Sequence, residues 1–399
     1  YTYGPLRAVV SGQINGTTIE RDGLMQNGRA AERSYGSSGV AKFLGGGGKA
    51  TLSWRINPSN VLTLNSSYQR EAPLAYNSFV ANRIKNDFVH GLSTEGIFNN
   101  ELSYSLTTAR FTARLSGYYT RFTDQVEQTA FYNDSEARFT YLTMRGVEKE
   151  HYGIEAAAIW NVTSALSFTF IGSMGDALYT NNPYATITYE SQDEVSMTYT
   201  NPVTKKQDAL LVIADGCRVS STPLTALSLG IDYNVNGWFF GANVNYYDRV
   251  YVDFSEFRRL SNILTPYISS GAVDANGNPS FGVDEATLAT NGGILYNEDG
   301  SIYKAQTAEQ TRVKGGFLVD LNVGRYIRLK NGRSLSLNLT VNNLLNNTNM
   351  STGGYEQNRG DYYYDNGEQG DARTYVFSKN PKLYYANAFN AFFNVAYKF

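Results

Sequence analysis

The segment 274–285 spaces oxygen-bearing side chains as a calcium-binding loop does. Its candidate ligands stand at the first, third, fifth, seventh and twelfth positions: Asp274, Asn276, Asn278, Ser280 and Glu285. Pro279 occupies the sixth position, where such a loop needs a glycine for its sharp turn, and no flanking helices are expected. We therefore favour a solvated turn over a metal site, and the sequence predicts no cofactor.

Signatures of catalysis are weak in this 399-residue sequence, which has two histidines and one cysteine. His90 follows Asp87 by three residues, but no serine is placed to be activated by it. The glycine run 45–48 precedes Lys49, yet Ala50 follows where a phosphate-binding loop needs a hydroxyl for Mg²⁺. We interpret the glycine run as a flexible external loop and predict that the protein is not an enzyme.

Aromatic and arginine side chains in long polar segments are the candidates for ligand contact. Aromatic faces stack on sugars, peptides and aromatic chelates, and the tyrosine phenol adds a hydrogen-bonding group. The candidates are Tyr184, Tyr189, Phe254, Arg258, Tyr355 and Tyr363. Such residues also pack large loops against one another, and the sequence leaves both interpretations open.

The elements that carry these loops are predicted by strict alternation of apolar and polar residues. From Leu335 to Val341 every second residue is Leu or Val, with Ser, Asn and Thr between them. From Phe389 to Phe399 the apolar phase again repeats every second residue. A strand with this pattern has one apolar and one polar face. About a dozen such strands, of roughly 9–11 residues, match the length that crosses a bilayer at a tilt. The sequence predicts an all-β, transmembrane antiparallel β-barrel.

The connections between the predicted strands alternate strictly between short turns and long polar segments. The long segments are 21–47, 71–96, 123–149, 176–222, 249–314 and 346–385. Barrels of outer membranes have short periplasmic turns and long extracellular loops. Trp54, Trp160 and Trp238 all fall in the apolar phase beside a short turn, which predicts an aromatic girdle at the membrane surface.

Composition excludes several other classes of protein. Lys and Arg number 34 against 36 Asp and Glu, so there is no basic excess for nucleic-acid binding. A single cysteine excludes an internal disulfide framework. With 42% hydrophobic residues the chain does not have the composition of a disordered protein.

Several stretches resemble one family, the TonB-dependent outer-membrane receptors of the Bacteroidetes type. They are LNLTVNNLLNNTNM at 337–350, TGGYEQNRGDY at 352–362, YYTRFTDQVEQTAFYND at 118–134 and FFNVAYKF at 392–399. The chain resembles the C-terminal barrel portion of such a receptor. The resemblance implies a multi-pass protein of the cell outer membrane and a 22-stranded barrel, of which this chain would supply about 12 strands.

The resemblance also implies partners. Residues 1–399 would be the C-terminal part of the barrel, with the first strands and an N-terminal plug domain preceding Tyr1. The partners would be outer-membrane lipid, the plug and remaining strands, and the periplasmic energy-coupling protein TonB, with a surface lipoprotein or other outer-membrane subunits as further candidates. The function would be import of a glycan, peptide, siderophore or cofactor. A non-transporting scaffold subunit of a larger outer-membrane complex is the alternative.

Overall fold

The computed structural model describes residues 1–133, 138–190, 195–201, 204–220, 222–262, 266–267, 269–273, 279–281, 293–296, 302–306, 310–358, 362–365, 368–372 and 381–399. Within these residues, twelve long strands form the main sheet. They are β1 (Leu6–Ile19), β2 (Ala41–Asn57), β3 (Asn60–Glu71), β4 (Glu95–Thr107), β5 (Phe111–Asn133), β6 (Arg138–Asn161), β7 (Leu166–Tyr179), β8 (Thr225–Val235), β9 (Trp238–Asp248), β10 (Gly316–Arg328), β11 (Ser334–Asn342) and β12 (Asn390–Lys398).

Shorter elements occupy the ends and the connections. The short strands are Thr2–Tyr3, Asp22–Gly23, Gly36–Ser37, Tyr184–Tyr189, Val195–Ser196, Thr198–Thr200, Gln207–Ala209, Val250–Tyr251, Pro266–Tyr267, Ser269–Val273, Pro279–Phe281, Gly293–Tyr296, Ile302–Gln306, Arg312–Val313, Ser351–Tyr355, Tyr362–Asp365, Glu368–Ala372 and Lys382–Tyr385. Single 3₁₀ turns span Gly28–Arg33, Ala75–Ser78, Phe257–Arg259 and Lys330–Gly332. No helix among the described residues has the length and hydropathy of a membrane span.

The twelve strands stand side by side in chain order, each antiparallel to the next. The short strand Thr2–Tyr3 pairs with the start of β1. At the other edge β12 pairs with β11 and not with β1, so the described strands form an open wall. The all-β antiparallel architecture predicted from the alternation is confirmed.

Tight turns join the strands at one end of this wall, which we call the turn end. At Asn236 and Gly237 the backbone φ values are 49° and 80°, and a two-residue hairpin turn of type I′ requires positive φ at both central residues. The three tryptophans lie at the turn end and are exposed: Trp54, Trp160 and Trp238. This is the position that an aromatic girdle would occupy.

Two predicted loops are instead strands. The glycine run 45–48 lies inside β2, not in a flexible loop. A Cβ at Gly45 would stand 2.4 Å from the carbonyl oxygen of Arg70, and one at Gly47 would stand 2.5 Å from that of Tyr68. Glycine is therefore needed here because β3 approaches β2 closely.

The segment 123–149, also predicted as a loop, is mostly the outer half of a long hairpin. β5 has 23 residues and β6 has 24, against the 9–11 expected. At roughly 3.3 Å per residue, each strand is far longer than a bilayer crossing needs. The hairpin therefore projects from the wall at the end opposite the tight turns, and this projection is what the loops pack against.

The apolar phase of the wall faces away from any protein core. One row of directly opposed apolar side chains crosses five strands: Tyr233, Phe240, Val323, Leu339 and Phe393. Large apolar side chains on this face are exposed along the wall, for example Leu102, Leu115 and Leu229. No second sheet covers them among the described residues, which excludes a two-layer sandwich there.

The other face is polar. Asn338 stands opposite Asn394, and Asn322 stands opposite Thr340. We call this the inner face. A wall with one apolar and one polar face, and no core of its own, needs an apolar solvent on one side.

Candidate functional site

The buried apolar core of the molecule lies in the long connections, not in the wall. It is built on the projecting hairpin and the end of β7, and we call its members the loop cluster. They are Leu142, Met144, Val147, Tyr179, Ala185, Ile187, Leu210, Val212, Ala214, Cys217, Phe254 and Leu260. The strand Tyr184–Tyr189 extends the sheet by pairing with β6 above the wall. Burying these side chains fixes two separate connections, the one after β7 and the one after β9, against one hairpin.

A fully buried ion pair ties a third connection, the one between β11 and β12, to the loop cluster. Arg259 Nη2 donates to Glu356 Oε1 at 2.9 Å, and Nη1 forms a second bond to the other oxygen. Both side chains have zero solvent exposure. The amide N–H of Ser255 donates to the same carboxylate at 2.9 Å. Such a pair contributes to fixing one arrangement because losing either partner leaves a buried charge.

Next to this pair lies the single cysteine. Cys217 is 1% exposed, and burial raises the pKa of its thiol to about 11. Since the thiolate is the reactive form, this thiol is inert while the cluster is closed. Cys217 is therefore a packing residue in the folded protein.

A second polar network lies at the edge of the loop cluster. The Tyr179 hydroxyl donates to Glu127 Oε2 at 2.8 Å, and Lys149 forms an ion pair with the same carboxylate. Burial and the neighbouring Glu127 charge raise the pKa of Tyr179 well above its usual range. Lys149 Nζ lies 4.7 Å from the centre of the Tyr179 ring. The network joins β5, β6 and β7 where they leave the wall.

The connection 72–94 packs on the same hairpin from another side. Gln128 Nε2 donates to the carbonyl of Phe79 at 2.8 Å, and Asn77 Nδ2 donates to the carbonyl of Val126 at 2.7 Å. Asn82 Nδ2 donates to Gln128 Oε1 at 2.8 Å. The connections on both sides of the hairpin are thus held to it by side-chain hydrogen bonds.

The structure separates the ligand-contact candidates into exposed and buried residues. Tyr184 and Tyr355 are exposed. The guanidinium carbon of Arg145 lies 4.6 Å from the centre of the Tyr184 ring. Phe254 and Arg258 are buried, and Arg258 Nε donates to the carbonyl of Gln357 at 2.5 Å.

The remaining candidates are less informative. Tyr189 is partly buried against the loop cluster, with the Arg138 guanidinium 3.8 Å from its ring centre. Tyr363 belongs to the strand Tyr362–Asp365. Among the five candidates whose side chains the structure describes, Tyr184 and Tyr355 are exposed, Tyr189 is partly buried, and Phe254 and Arg258 are buried.

The proposed metal ligands cannot be located. Asp274, Asn276, Asn278 and Glu285 lie outside the described residues, so the solvated turn that the sequence favours over a calcium loop stays a prediction. Within the described ranges, no group of three or more His, Cys, Asp or Glu side chains is arranged to hold a metal ion.

Sequence reasoning missed the residues that organise the loops. Arg259 and Glu356 are 97 positions apart, and although Glu356 lies in the stretch 352–362 quoted above, nothing in that stretch points to Arg259. A charge pair at that separation gives no periodic or spacing signal. Only the run of apolar residues 210–214 could have suggested a buried segment inside a polar connection.

A family model and solved structures place this architecture among known proteins. The model of the TonB dependent receptor-like β-barrel matches residues 2–344. No curated protein matches the chain in sequence. The copper transporter OprC superposes with a TM-score of 0.54 at 11% identity, over 99% of this chain and 45% of its own.

Two further structures are similar. The ferric enterobactin receptor PfeA of Pseudomonas aeruginosa gives a TM-score of 0.51 at 12% identity, covering 99% of this chain and 52% of that one. The FrpB iron transporter of Neisseria meningitidis, in its apoprotein form, gives 0.50 at 10% identity, with 99% and 44% coverage. These likenesses show the fold. The chain spans about half the length of these solved relatives. On the family match, the chain belongs to the TonB-dependent receptor β-barrel family of outer-membrane receptors and transporters.

Proposed function

We propose that this chain is the barrel portion of an outer-membrane receptor that imports a nutrient by TonB-dependent transport. The observation that carries the proposal is the two-faced wall, found in a chain of this family. The exposed apolar face would contact lipid hydrocarbon, and the amide-rich inner face would line an aqueous lumen. In such a protein the long connections are extracellular and the tight turns periplasmic.

The complete receptor would contain more than this chain. The solved relatives are about twice as long, which supports a barrel of 22 strands closed by further strands and a plug domain. The open edges at β1 and β12 would pair with those strands, because unpaired backbone groups are costly in a bilayer. TonB would act on the plug from the periplasm.

The loops packed on the projecting hairpin would capture the nutrient. Tyr184 and Tyr355 support this role because both aromatic faces are exposed in connections on that side. OprC is a copper transporter and PfeA is a receptor for ferric enterobactin. For this chain we propose a nutrient of the glycan, peptide, siderophore or cofactor classes that stacks on tyrosine.

Uptake in the native host tests the proposal. Cells lacking the receptor should lose growth on, or competitive uptake of, one nutrient from a mixed pool, and the intact gene should restore it. Tyr184→Ala and Tyr355→Ala should weaken uptake, whereas Tyr35→Ala, which removes an exposed tyrosine from another connection, should leave it unchanged. Wild-type uptake of every nutrient in the deletion strain would contradict the proposed function.

A further inference from the structure

Three cations form a stripe on the inner face of the first two strands. Arg7 lies on β1 opposite Ser53, and Lys49 lies on β2 opposite Ser11. Arg55 follows Lys49 in the same phase, six residues closer to the turn end. We call these three residues the basic stripe. β1 and β2 contain no aspartate or glutamate at any position.

The basic stripe has no counter-charge in the wall. Among the described residues none of its three members forms an ion pair. By contrast, Arg114 on β5 pairs across to Glu101 on β4, so inner-face cations farther along the wall are neutralised. The stripe is also exposed to the lumen side, where a partner could reach it.

A recess accompanies the basic stripe. It has a volume of about 370 Å³ and is lined only by inner-face side chains of β1 and β2. Its lining residues are Arg7, Val9, Ser11, Lys49, Thr51 and Ser53. Ammonium, guanidinium and hydroxyl groups are the donors that bind carboxylates, so the recess has the chemistry of a carboxylate site.

The inner face of the later strands carries both signs of charge, with Arg328 on β10 and Lys398 on β12 both opposite Ser334 of β11. Asp232 on β8 and Asp320 on β10 lie on this face, and neither forms an ion pair among the residues that the structure describes. Asp320 accepts hydrogen bonds from Asn245 Nδ2 at 3.0 Å and from the amide of Asn343 at 2.9 Å. The first two strands of the inner wall therefore carry cations alone, whereas the later strands carry acidic and basic side chains together.

The length of the basic stripe favours a polypeptide over a small anion. Six strand residues separate Lys49 from Arg55, a distance of roughly 20 Å at 3.3 Å per residue. One small anion cannot contact both ends, whereas carboxylates on a folded surface can. Where the polypeptide that fills the lumen excludes water from the contact, such pairs would be stronger than on an open surface.

We propose that the basic stripe binds an acidic face of the polypeptide that fills the lumen. The inference rests on the proposed function, in which a plug occupies the lumen. To that function the inference adds the sign of the charge on the plug face that contacts the wall, and it names β1 and β2 as the strands that bind this face.

A zero-length carbodiimide crosslink tests the contact in the intact receptor in its membrane. The reagent joins a lysine amine to a carboxylate only when the two touch. We expect Lys49 Nζ to be joined to an aspartate or glutamate of the lumen-filling polypeptide, identified by mass spectrometry of the linked peptides. Lys49→Arg keeps the charge but removes the amine, so this linked peptide should disappear. Lys42, on β2 in the opposite phase, is the matched lysine that should not link to that polypeptide.

Two results would overturn the inference. Lys49 could be recovered unlinked, or linked only to wall carboxylates such as Glu71. Alternatively, no linked peptide could form in the absence of phosphate, while added inorganic phosphate protects the Lys49 amine from acylation. That result would make the stripe a small-anion site. The two failures are distinguishable, because a Lys49 crosslink in a receptor whose deletion leaves uptake unchanged would contradict the proposed function but not this contact.

Discussion

The buried Arg259–Glu356 pair should hold the loop cluster closed, and Arg259→Met tests this directly. Methionine keeps much of the side-chain volume but leaves the Glu356 carboxylate buried without its cation. Removing one partner of a buried ion pair costs about 3–5 kcal/mol. Since 1.4 kcal/mol is a factor of ten, the population of the open cluster should increase by a factor between roughly one hundred and several thousand.

Cys217 reports that opening without any added label site. It is the only cysteine, it is 1% exposed, and it packs in the same cluster. The rate of its modification by a small maleimide, at constant pH and in folded receptor, should rise in Arg259→Met by the factor above. Arg259→Met/Glu356→Leu, which replaces both charges by apolar groups, should return most of the way to the wild-type rate.

The control is an exposed ion pair in another connection. Arg33 and Asp87 pair at 3.3 Å with side chains 48% and 34% exposed, so Arg33→Met should change the Cys217 rate by less than about fivefold. The reasoning is refuted if Arg259→Met labels at the wild-type rate, or if the double variant labels as fast as the single one.

Three further predictions concern the wall and the cluster. Leu337→Arg should destabilise membrane-inserted protein by about 2–4 kcal/mol near the bilayer midplane, while Asn338→Gln is tolerated, as heat modifiability in gels would show. Burial raises the pKa of the Cys217 thiol to about 11. The free energy of unfolding should therefore fall by about 2–3 kcal/mol as the pH rises from 9 to 11, because the thiol ionises first in the unfolded chain. Cys217→Ala should lack this part of the pH dependence in urea titrations. Gly237→Ala should cost about 1–2 kcal/mol in the same titrations, because φ is 80° and a Cβ would stand 2.5 Å from the Tyr326 carbonyl oxygen; an unchanged midpoint would contradict the turn geometry.

The wall could be predicted from sequence because its determinant is local. Hydrocarbon on one side and water on the other impose a period of two on every strand, and that period is visible in segments such as 335–341. Turn residues such as Asn236 and Gly237 add a second local signal. The tryptophans lie near the short turns because amphipathic rings favour the boundary between membrane and water.

Strand ends and the loop core could not be predicted in the same way. A glycine run such as 45–48 predicts a flexible loop from sequence alone, whereas at Gly45 and Gly47 the close approach of β3 is what requires glycine. The pairing of Arg259 with Glu356, and the burial of Phe254 and Arg258, depend on contacts between distant segments. The composition shows that these loops are rich in aromatic residues, but tertiary packing determines which of the rings are exposed.

Depth-resolved quenching tests most directly whether the apolar face of the wall touches lipid. In a Cys217→Ala background, a fluorophore would be attached at Leu337→Cys or at Asn338→Cys, adjacent positions on opposite faces of β11. We predict that nitroxide-bearing lipid quenches the label at 337 and that a water-soluble quencher reaches the label at 338. Equal quenching at both positions, or the reverse pattern, would contradict the assignment of the two faces and the membrane wall built on it.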